Sequence, residues 1–160
     1  MNKNYTIRNA SCDDIEILVD YWRKLQILHQ RENPTVWTMR DDAEQTVRKY
    51  FDEKLGSADF FTKIAFDSKG ESIGFVMGEI QNNIPIVLPK KTGYITDVFV
   101  DEHLRGKGIA RELLESIYED FRKCGMTEVR LQVDDFNKGA IASYQKMGYE
   151  MIAHKMRKPI

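Results

Sequence analysis

A glycine-rich stretch at residues 104–110, with the sequence LRGKGIA, constrains the fold of this chain more than any other feature. Residues 94–100, just before it, are rich in β-branched and aromatic side chains and predict a strand. Residues 109–124, just after it, have the apolar spacing of an amphipathic helix. A glycine turn between a strand and a helix directs free backbone N–H groups and the positive end of the helix dipole toward one point. This stretch, called the glycine turn below, therefore predicts a phosphate-binding site.

The residues of the glycine turn are compatible with this role, but two well-known phosphate motifs do not fit. Gly106 and Gly108 can adopt positive φ and let the backbone approach a ligand closely, and Arg105 and Lys107 add positive charge. The dinucleotide fingerprint G-x-G-x-x-G fails because position 111 is arginine, and the P-loop fails because no Gly-Lys pair precedes Ser or Thr. Taken alone, the turn leaves a phosphate site and an ordinary helix start equally open.

Local patterns divide the rest of the chain into short strands and helices, without a repeat or a second domain. The predicted elements are a strand at residues 5–8, helices at 11–29 and 38–55, strands at 60–66, 72–80 and 94–100, a helix at 109–124, a strand at 127–133, a helix at 137–147 and a strand at 149–156. The order is βααβββαβαβ, and we expect a single domain over residues 1–160.

Composition excludes several classes of protein. The chain has 160 residues, 42% of them hydrophobic and 31% charged, which is typical of one globular domain. The net charge of -1 gives no reason to expect nucleic acid or an anionic membrane as a partner. Cys12 and Cys124 form no motif, and no His/Cys cluster has metal-ligand spacing, so we expect reduced thiols and no metal. Without an apolar signal core or a long apolar run, the expected location is the cytoplasm.

Two blocks of sequence together resemble the GNAT superfamily of N-acetyltransferases. Arg105-x-x-Gly108-x-Ala110 resembles the family's acetyl-CoA motif R/Q-x-x-G-x-G/A, and the strand before it ends in Val-Phe-Val, as the family's central strand usually does. A second block follows in the usual order and at the usual separation, and its matching residues are Leu131, Val133, Asn137, Ala140, Tyr144, Gly148 and Tyr149. The resemblance implies an α/β (α+β) fold: a mixed, strongly twisted sheet with helices on both faces.

The resemblance also implies acetyl-CoA as the co-substrate and assigns it a binding region. The phosphates would lie on the glycine turn and the pantetheine arm along the end of the central strand, where a backbone N–H could polarise the thioester carbonyl. Asn137 would cap its helix and also bond to the pantetheine or pyrophosphate region. The implied binding residues are Val98, Phe99, Val100, Arg105, Gly106, Lys107, Gly108, Ile109, Ala110, Arg111 and Asn137.

Tyr144 stands where enzymes of this family usually carry the acid that protonates the CoA thiolate. The alternative is an ordinary core tyrosine, because Ala140, Ile141 and Met147 share its helical face. The spacing from Asn137 to Tyr144, beside the glycine turn, favours the catalytic reading.

The proposed base is Asp97, which lies within an otherwise apolar strand, where an unpaired carboxylate is costly. Alternation with a period of two places Asp97 on the same face as Ile95 and Phe99. Several small-amine enzymes of the family carry an acidic residue here. Glu79, in the preceding strand, is the rival candidate, and for either residue a salt bridge at the rim of the sheet is the structural alternative.

Three functions remain open. The favoured one is direct acetyl transfer to a primary amine of a small molecule, since Asp97, Glu79 and Glu32 could recognise a cation. In the family, the region of His29 and Trp37 shapes the acceptor pocket. The alternatives are a protein N-terminal or lysine acetyltransferase, which needs an open groove, and a non-catalytic acyl-CoA-binding module. A homodimer is expected from the resemblance only.

Overall fold

The structure is a computed structural model that describes residues 4–160, so the first three residues of the expected domain lie outside it. The strands are β1 (Tyr5–Asn9), β2 (Phe60–Asp67), β3 (Ser72–Asn82), β4 (Lys91–Val100) and β5 (Val129–Leu131). The helices are α1 (Ile15–Glu32), α2 (Ala43–Lys54), α3 (Ile109–Lys123) and α4 (Lys138–Lys146). The strands form one sheet in sequence order, in which β1 to β4 are antiparallel neighbours and β5 runs parallel to β4.

Helices cover both faces of the sheet, because alternate residues of β3 point to opposite sides and both sets are apolar. Phe75 and Met77 are buried against α1 and α2, in a cluster that includes Leu18. Val76 is buried on the other face, in a cluster that includes Leu113 of α3. Each face of the sheet is thus covered by an amphipathic helix, and the predicted mixed fold with helices on both sides is confirmed.

Two glycines let α3 lie close to the sheet. A Cβ atom at Gly93 would come within 2.6 Å of the Phe121 ring, and one at Gly78 would come within 2.9 Å of the same ring. Phe121 itself is fully buried. The absence of side chains at these two positions therefore sets how near α3 approaches β3 and β4, the strands that carry the site.

A bulge in β4 corrects one prediction about the faces of the sheet. Ile95 lies opposite Gly78 while Asp97 lies opposite Met77, so Thr96 is an extra residue on β4. The bulge reverses the alternation between Ile95 and Asp97. Asp97 therefore shares the α1 face with Phe99, as predicted, but not with Ile95, which faces α3.

The sheet opens beyond the bulge. Residues 93–95 of β4 pair with residues 129–131 of β5, and β5 ends there, whereas β4 continues to Val100. In the part of the chain that the structure describes, residues 96–100 therefore have β3 on one side and no strand on the other. This opening is called the β4–β5 gap below.

The predicted last strand, at residues 149–156, is absent from the structure. Within residues 4–160 no strand follows α4, and residues 150–160 are exposed along their whole length. A strand persists only when a neighbouring strand exchanges hydrogen bonds with it, and β5, the strand that precedes α4, has only three residues. The observed order is therefore βααβββαβα. Among the residues described, no helix is long and apolar enough to cross a membrane.

Candidate active site at the gap between β4 and β5

The glycine turn has the backbone geometry of an anion site. Gly106 and Gly108 have φ values of +77° and +85°, a region of backbone conformation that residues with a side chain rarely adopt. Gly108 immediately precedes α3. Counted from the start of this helix, the first backbone amide that donates a hydrogen bond is that of Glu112, and its acceptor is the Gly108 carbonyl at 3.1 Å. Within residues 4–160, the amides of residues 106–111 donate no backbone hydrogen bond. They are free for an external acceptor, as phosphate binding requires.

The side chains around the turn divide into two groups. Arg105 donates from Nε to the Val100 carbonyl at 3.1 Å, and its guanidinium lies 5.6 Å from the centre of the Phe99 ring. Arg105 therefore ties the turn to the end of β4, with about half of its side chain still exposed. Lys107 and Arg111 are exposed at the rim and add positive charge there.

The end of β4 presents its backbone, rather than its side chains, to the gap. Val98 packs with the α3-side cluster, Phe99 lies 5.4 Å from the Tyr21 ring on the other face, and Val100 is buried. Ile109, at the start of α3, is also buried. These residues can contribute amides and carbonyls to a ligand in the gap, while their side chains hold the elements together.

Tyr144 approaches the gap from the α3 side of the sheet. Burial is the main reason that its pKa is raised to about 12, and the charges of Tyr149 and Asp97 add to the effect. The hydroxyl is therefore protonated at neutral pH. It forms no hydrogen bond to any of residues 4–160, unlike the Tyr149 hydroxyl, which lies 2.5 Å from that of Tyr118. The ring itself packs in the α3-side cluster, 5.4 Å from the ring of Tyr149, so the catalytic role of Tyr144 stays a prediction.

Asp97 approaches the gap from the opposite face of the sheet. Burial raises its pKa above the ordinary carboxyl value, while a hydrogen bond from Thr96 and the charge of His29 oppose the rise. Its own charge contributes to the raised pKa values of Tyr50 on α2 and Tyr144 on α4, so its field reaches both. No salt bridge to Asp97 is present among residues 4–160, which disfavours the structural alternative.

The rival carboxylate, Glu79, is on β3. It lies opposite Tyr94 in the β3–β4 register and accepts a hydrogen bond from the Gln81 side chain at 2.9 Å. Its charge raises the pKa of Tyr50 but does not figure among the causes of the shift at Tyr144. Asp97 is thus the carboxylate that interacts with both sides of the gap.

Asn137 caps α4: its Oδ1 accepts the amide N–H of Ala140 at 3.1 Å. The cap leaves the side-chain NH₂ group free to donate to a ligand.

Two residues of the acceptor side were not predicted from the sequence. The Trp37 indole donates to Asp134 at 2.9 Å, and Phe136 lies edge-on to His29 at 5.9 Å. Asp134 and Phe136 follow β5, almost a hundred positions after Trp37, so no spacing rule connects them.

A cleft of about 2240 Å³ extends from this region along β5 and α4 and under the exposed C-terminal segment, and Tyr144 is part of its lining. Within residues 4–160, no group of three or more His, Cys, Asp or Glu side chains could hold a metal ion.

The sequence profile of the Acetyltransferase (GNAT) family matches residues 22–149, which is most of the chain. The chain therefore belongs to the GNAT acetyltransferase family.

Individual relatives agree with this assignment. The chain is 28% identical to an uncharacterized N-acetyltransferase of Methanocaldococcus jannaschii, over 92% of this chain and 62% of that protein. It is 30% identical to a D-amino-acid N-acetyltransferase of Saccharomyces cerevisiae, over 81% of this chain and 77% of that protein. It is 28% identical to an N-alpha-acetyltransferase of Saccharolobus solfataricus, over 94% of this chain and 83% of that protein. The chain thus spans less than two thirds of the archaeal uncharacterized relative.

A solved structure supports the fold. A predicted acetyltransferase from Clostridium acetobutylicum, determined with acetyl-CoA, superposes with a TM-score of 0.77 at 22% identity, over 97% of this chain and 96% of that one. At this level of identity the likeness concerns the fold alone.

Proposed function

We propose that this chain, as a single domain, is an acetyl-CoA-dependent N-acetyltransferase that transfers the acetyl group directly to a primary amine of a small molecule. One observation carries the proposal. Asp97 and Tyr144 belong to opposite faces of the sheet beside the β4–β5 gap, and the charge of Asp97 contributes to the raised pKa of Tyr144. The glycine turn, with its free amides, lies at the end of the same strand. An anion site at the end of β4, together with a carboxylate on β4 and a tyrosine on α4, suits a phosphate-bearing acyl donor.

The residues present fit acetyl-CoA. Free amides at residues 106–111 and the charges of Lys107 and Arg111 suit its phosphates, and the unpaired edge of residues 96–100 suits the amide groups of its pantetheine arm. The relative from Clostridium acetobutylicum, whose structure contains acetyl-CoA, has the same fold. The co-substrate supplies the acetyl group as a thioester, and the residues of this chain bind it and move protons.

Asp97 and Tyr144 have complementary tasks in the transfer. Asp97, when ionised, accepts a proton from the acceptor ammonium, because only a neutral amine has the free electron pair needed for attack. A backbone N–H near residues 98–100 would stabilise the negative charge that develops on the carbonyl oxygen. Tyr144 then gives its proton to the departing sulfur, since burial keeps the hydroxyl protonated.

The bonds and protons of this step balance. The amine nitrogen forms a bond to the carbonyl carbon, and the carbon–sulfur bond breaks, with its electron pair remaining on sulfur. Sulfur takes the proton of Tyr144, and the second proton released by nitrogen as the amide forms restores the tyrosine. One proton per turnover, the one first taken by Asp97, is released to solvent.

A small amine is favoured as acceptor by the acidic surroundings of the gap. Asp97 and Glu79 both act on Tyr50, so two carboxylates converge on one region. The D-amino-acid N-acetyltransferase of Saccharomyces cerevisiae is a relative of this kind. The second candidate is a protein N-terminal acetyltransferase, which is supported by the relative from Saccharolobus solfataricus. A cytoplasmic location and a homodimer remain predictions.

Calorimetric titration of acetyl-CoA into the purified protein tests the co-substrate. We expect binding that Lys107→Glu weakens and that Lys69→Glu, in the turn between β2 and β3, leaves unchanged. Both lysines are exposed, so the pair separates a local effect on the glycine turn from a general effect of charge. Absence of binding by the folded protein would overturn the proposed function.

Thiol release from acetyl-CoA then identifies the acceptor class. The probes are 1,4-diaminobutane, free lysine, D-alanine and a short peptide with a free N-terminus. Faster turnover with one of the small amines supports the first candidate, and faster turnover with the peptide supports the second. Binding of acetyl-CoA without transfer to any probe would favour the non-catalytic module.

A further inference from the structure

The short helix that carries Tyr144 has few contacts that fix its orientation. Within α4, residues 138–146, no side chain is fully buried, although Tyr144 packs partly against the α3-side cluster. The side-chain hydrogen bonds of Asn137, Lys138 and Ser143 stay within residues 135–143. Because a helix in a protein is held mainly by the packing of an apolar face, α4 needs a further contact to keep one orientation.

A hydrogen bond between two tyrosines joins the end of α4 to α3. The hydroxyl oxygens of Tyr118, on α3, and Tyr149, three residues beyond α4, lie 2.5 Å apart, so one hydroxyl donates to the other. This bond is called the tyrosine link. Both rings are half-buried and line the same cleft as Tyr144. Burial is the main reason that the pKa of each hydroxyl is raised, so both are protonated at neutral pH and the link persists there.

The turn after α4 connects the tyrosine link to Tyr144. Gly148 has φ +92°, and its N–H donates to the Gln145 carbonyl at 3.0 Å. The N–H of Tyr149 donates to the Tyr144 carbonyl, also at 3.0 Å. These two bonds form a Schellman motif, a common left-handed end of a helix. The rings of Tyr144 and Tyr149 also meet edge-on, with centroids 5.4 Å apart. Both the backbone and the ring of Tyr149 therefore contact Tyr144, and a displacement of one displaces the other.

We propose that Tyr118 is a positioning residue for the acid of the reaction, an inference that rests on the proposed acetyl transfer. The Tyr118 hydroxyl holds Tyr149, and Tyr149 holds the Tyr144 hydroxyl within reach of the departing sulfur. An acid must come within hydrogen-bond distance of the atom that it protonates, and a misplacement of about 1 Å can cost about 100-fold in rate. Tyr144 still supplies the proton, and Tyr118 acts only through Tyr149.

Tyr118→Phe tests this role because it removes one hydroxyl and keeps the ring. Thiol release with the most active of the four amine probes measures kcat, and calorimetry measures the affinity for acetyl-CoA. We expect kcat to fall by about 10–100-fold, through misplacement of the acid, with unchanged affinity for acetyl-CoA. Tyr94→Phe removes a hydroxyl from the lining of the same cleft without breaking the tyrosine link, and it should match wild type. A loss below about threefold in Tyr118→Phe would overturn the proposal.

The same change in a Tyr144→Phe background separates positioning from a general structural defect. Once the acid is absent its position has no effect on rate, so Tyr118→Phe should slow the residual reaction by less than about twofold. A loss of equal size in both backgrounds would indicate a structural role and overturn the proposal. Tyr149→Phe breaks the tyrosine link from the other side, and the double variant with Tyr118→Phe should be no slower than either single variant. Additive losses would show that the two hydroxyls act separately, against the proposal.

A measurement without turnover covers the case in which the residual rate of Tyr144→Phe is too slow to resolve. The chain has seven tyrosines, so the ring signals of ¹³C-labelled tyrosine are few, and the Tyr144 signal is the one that Tyr144→Phe removes. Tyr118→Phe should shift or broaden this signal, whereas Tyr94→Phe should leave it in place. An unchanged Tyr144 signal in Tyr118→Phe would overturn the proposal.

Failure of the proposed function gives a different result from failure of the positioning role. A wild-type protein that acetylates none of the probes would refute the proposed function, and the positioning role with it. Normal turnover in Tyr144→Phe would refute the assignment of the acid, and again the positioning role. An active wild type with normal turnover in Tyr118→Phe would refute the positioning role alone.

Discussion

Replacing Gly108 by alanine tests the geometry of the glycine turn. Gly108 has φ +85° and ψ -4°, and a Cβ atom built there would meet nothing within 4 Å. The substitution therefore introduces no collision, and its cost is the strain of a left-handed backbone in an L-residue, about 1–2 kcal/mol. This strain energy is small. The shares of it that appear as lost stability and as lost acetyl-CoA affinity show whether ligand binding requires the left-handed conformation.

The strain of Gly108→Ala can be expressed in two ways. If the turn keeps its conformation, the free energy of unfolding falls by about 1–2 kcal/mol and acetyl-CoA affinity is unchanged. If the turn relaxes, stability is preserved, and the ligand must restore the strained conformation on binding, which weakens affinity by about 5–30-fold. The two losses, expressed as free energies, should sum to about 1–2 kcal/mol in every case.

Urea unfolding and calorimetric titration with acetyl-CoA measure the two losses. The matched control is Gly56→Ala, since Gly56 follows α2, has φ +86° and likewise has open space around its Cβ position. The strain of Gly56→Ala should lower the free energy of unfolding and leave the affinity for acetyl-CoA unchanged. A summed loss below about 0.5 kcal/mol for Gly108→Ala, within the range of neutral surface substitutions, would refute the left-handed conformation assigned to the turn. An affinity loss in Gly56→Ala would refute the assumption that the strain acts locally.

Three further predictions concern the site and its support. Tyr144→Phe should lower turnover by about 10²–10⁴-fold with unchanged acetyl-CoA affinity, and normal steady-state turnover would rule out Tyr144 as the acid. Because burial raises the pKa of Asp97, the folded state binds this proton more tightly than the unfolded state, and stability is lost as pH rises through the interval between the two pKa values. Asp97→Asn should therefore gain stability relative to wild type as pH rises through that interval in urea unfolding, and a constant difference would contradict the burial argument. Gly93→Ala should lower the free energy of unfolding by about 1–3 kcal/mol through overpacking against Phe121. Adding Phe121→Leu to the same chain should recover part of this loss, and strictly additive losses would show that the two positions do not collide.

Local patterns in the sequence were sufficient for much of the fold and for the conformation of the glycine turn. The glycine turn, the strand before it and the helix after it are contiguous, and their geometry depends on backbone preferences within a few residues. The cap at Asn137 is local in the same way, because its side chain bonds three residues ahead. These features follow from short-range sterics and hydrogen bonding, which a sequence displays directly.

Pairing between distant segments decided the features that were missed. The bulge at Thr96 results from the register of β4 against β3, so alternation within β4 alone placed Asp97 and Ile95 on one face. The predicted last strand had a plausible composition but has no neighbouring strand that pairs with it in the structure. A hydrogen-bond ladder belongs to two strands, and one sequence segment does not specify the second.

The sequence by itself determined that a glycine turn with positive φ lies between a strand and a helix, because backbone freedom at glycine and apolar periodicity are local properties. Only the tertiary structure brought Asp97 and Tyr144 near enough for the charge of Asp97 to raise the pKa of Tyr144. These residues are far apart in the chain. Their proximity is set by the burial of apolar faces on both sides of the sheet, which acts on the whole molecule at once.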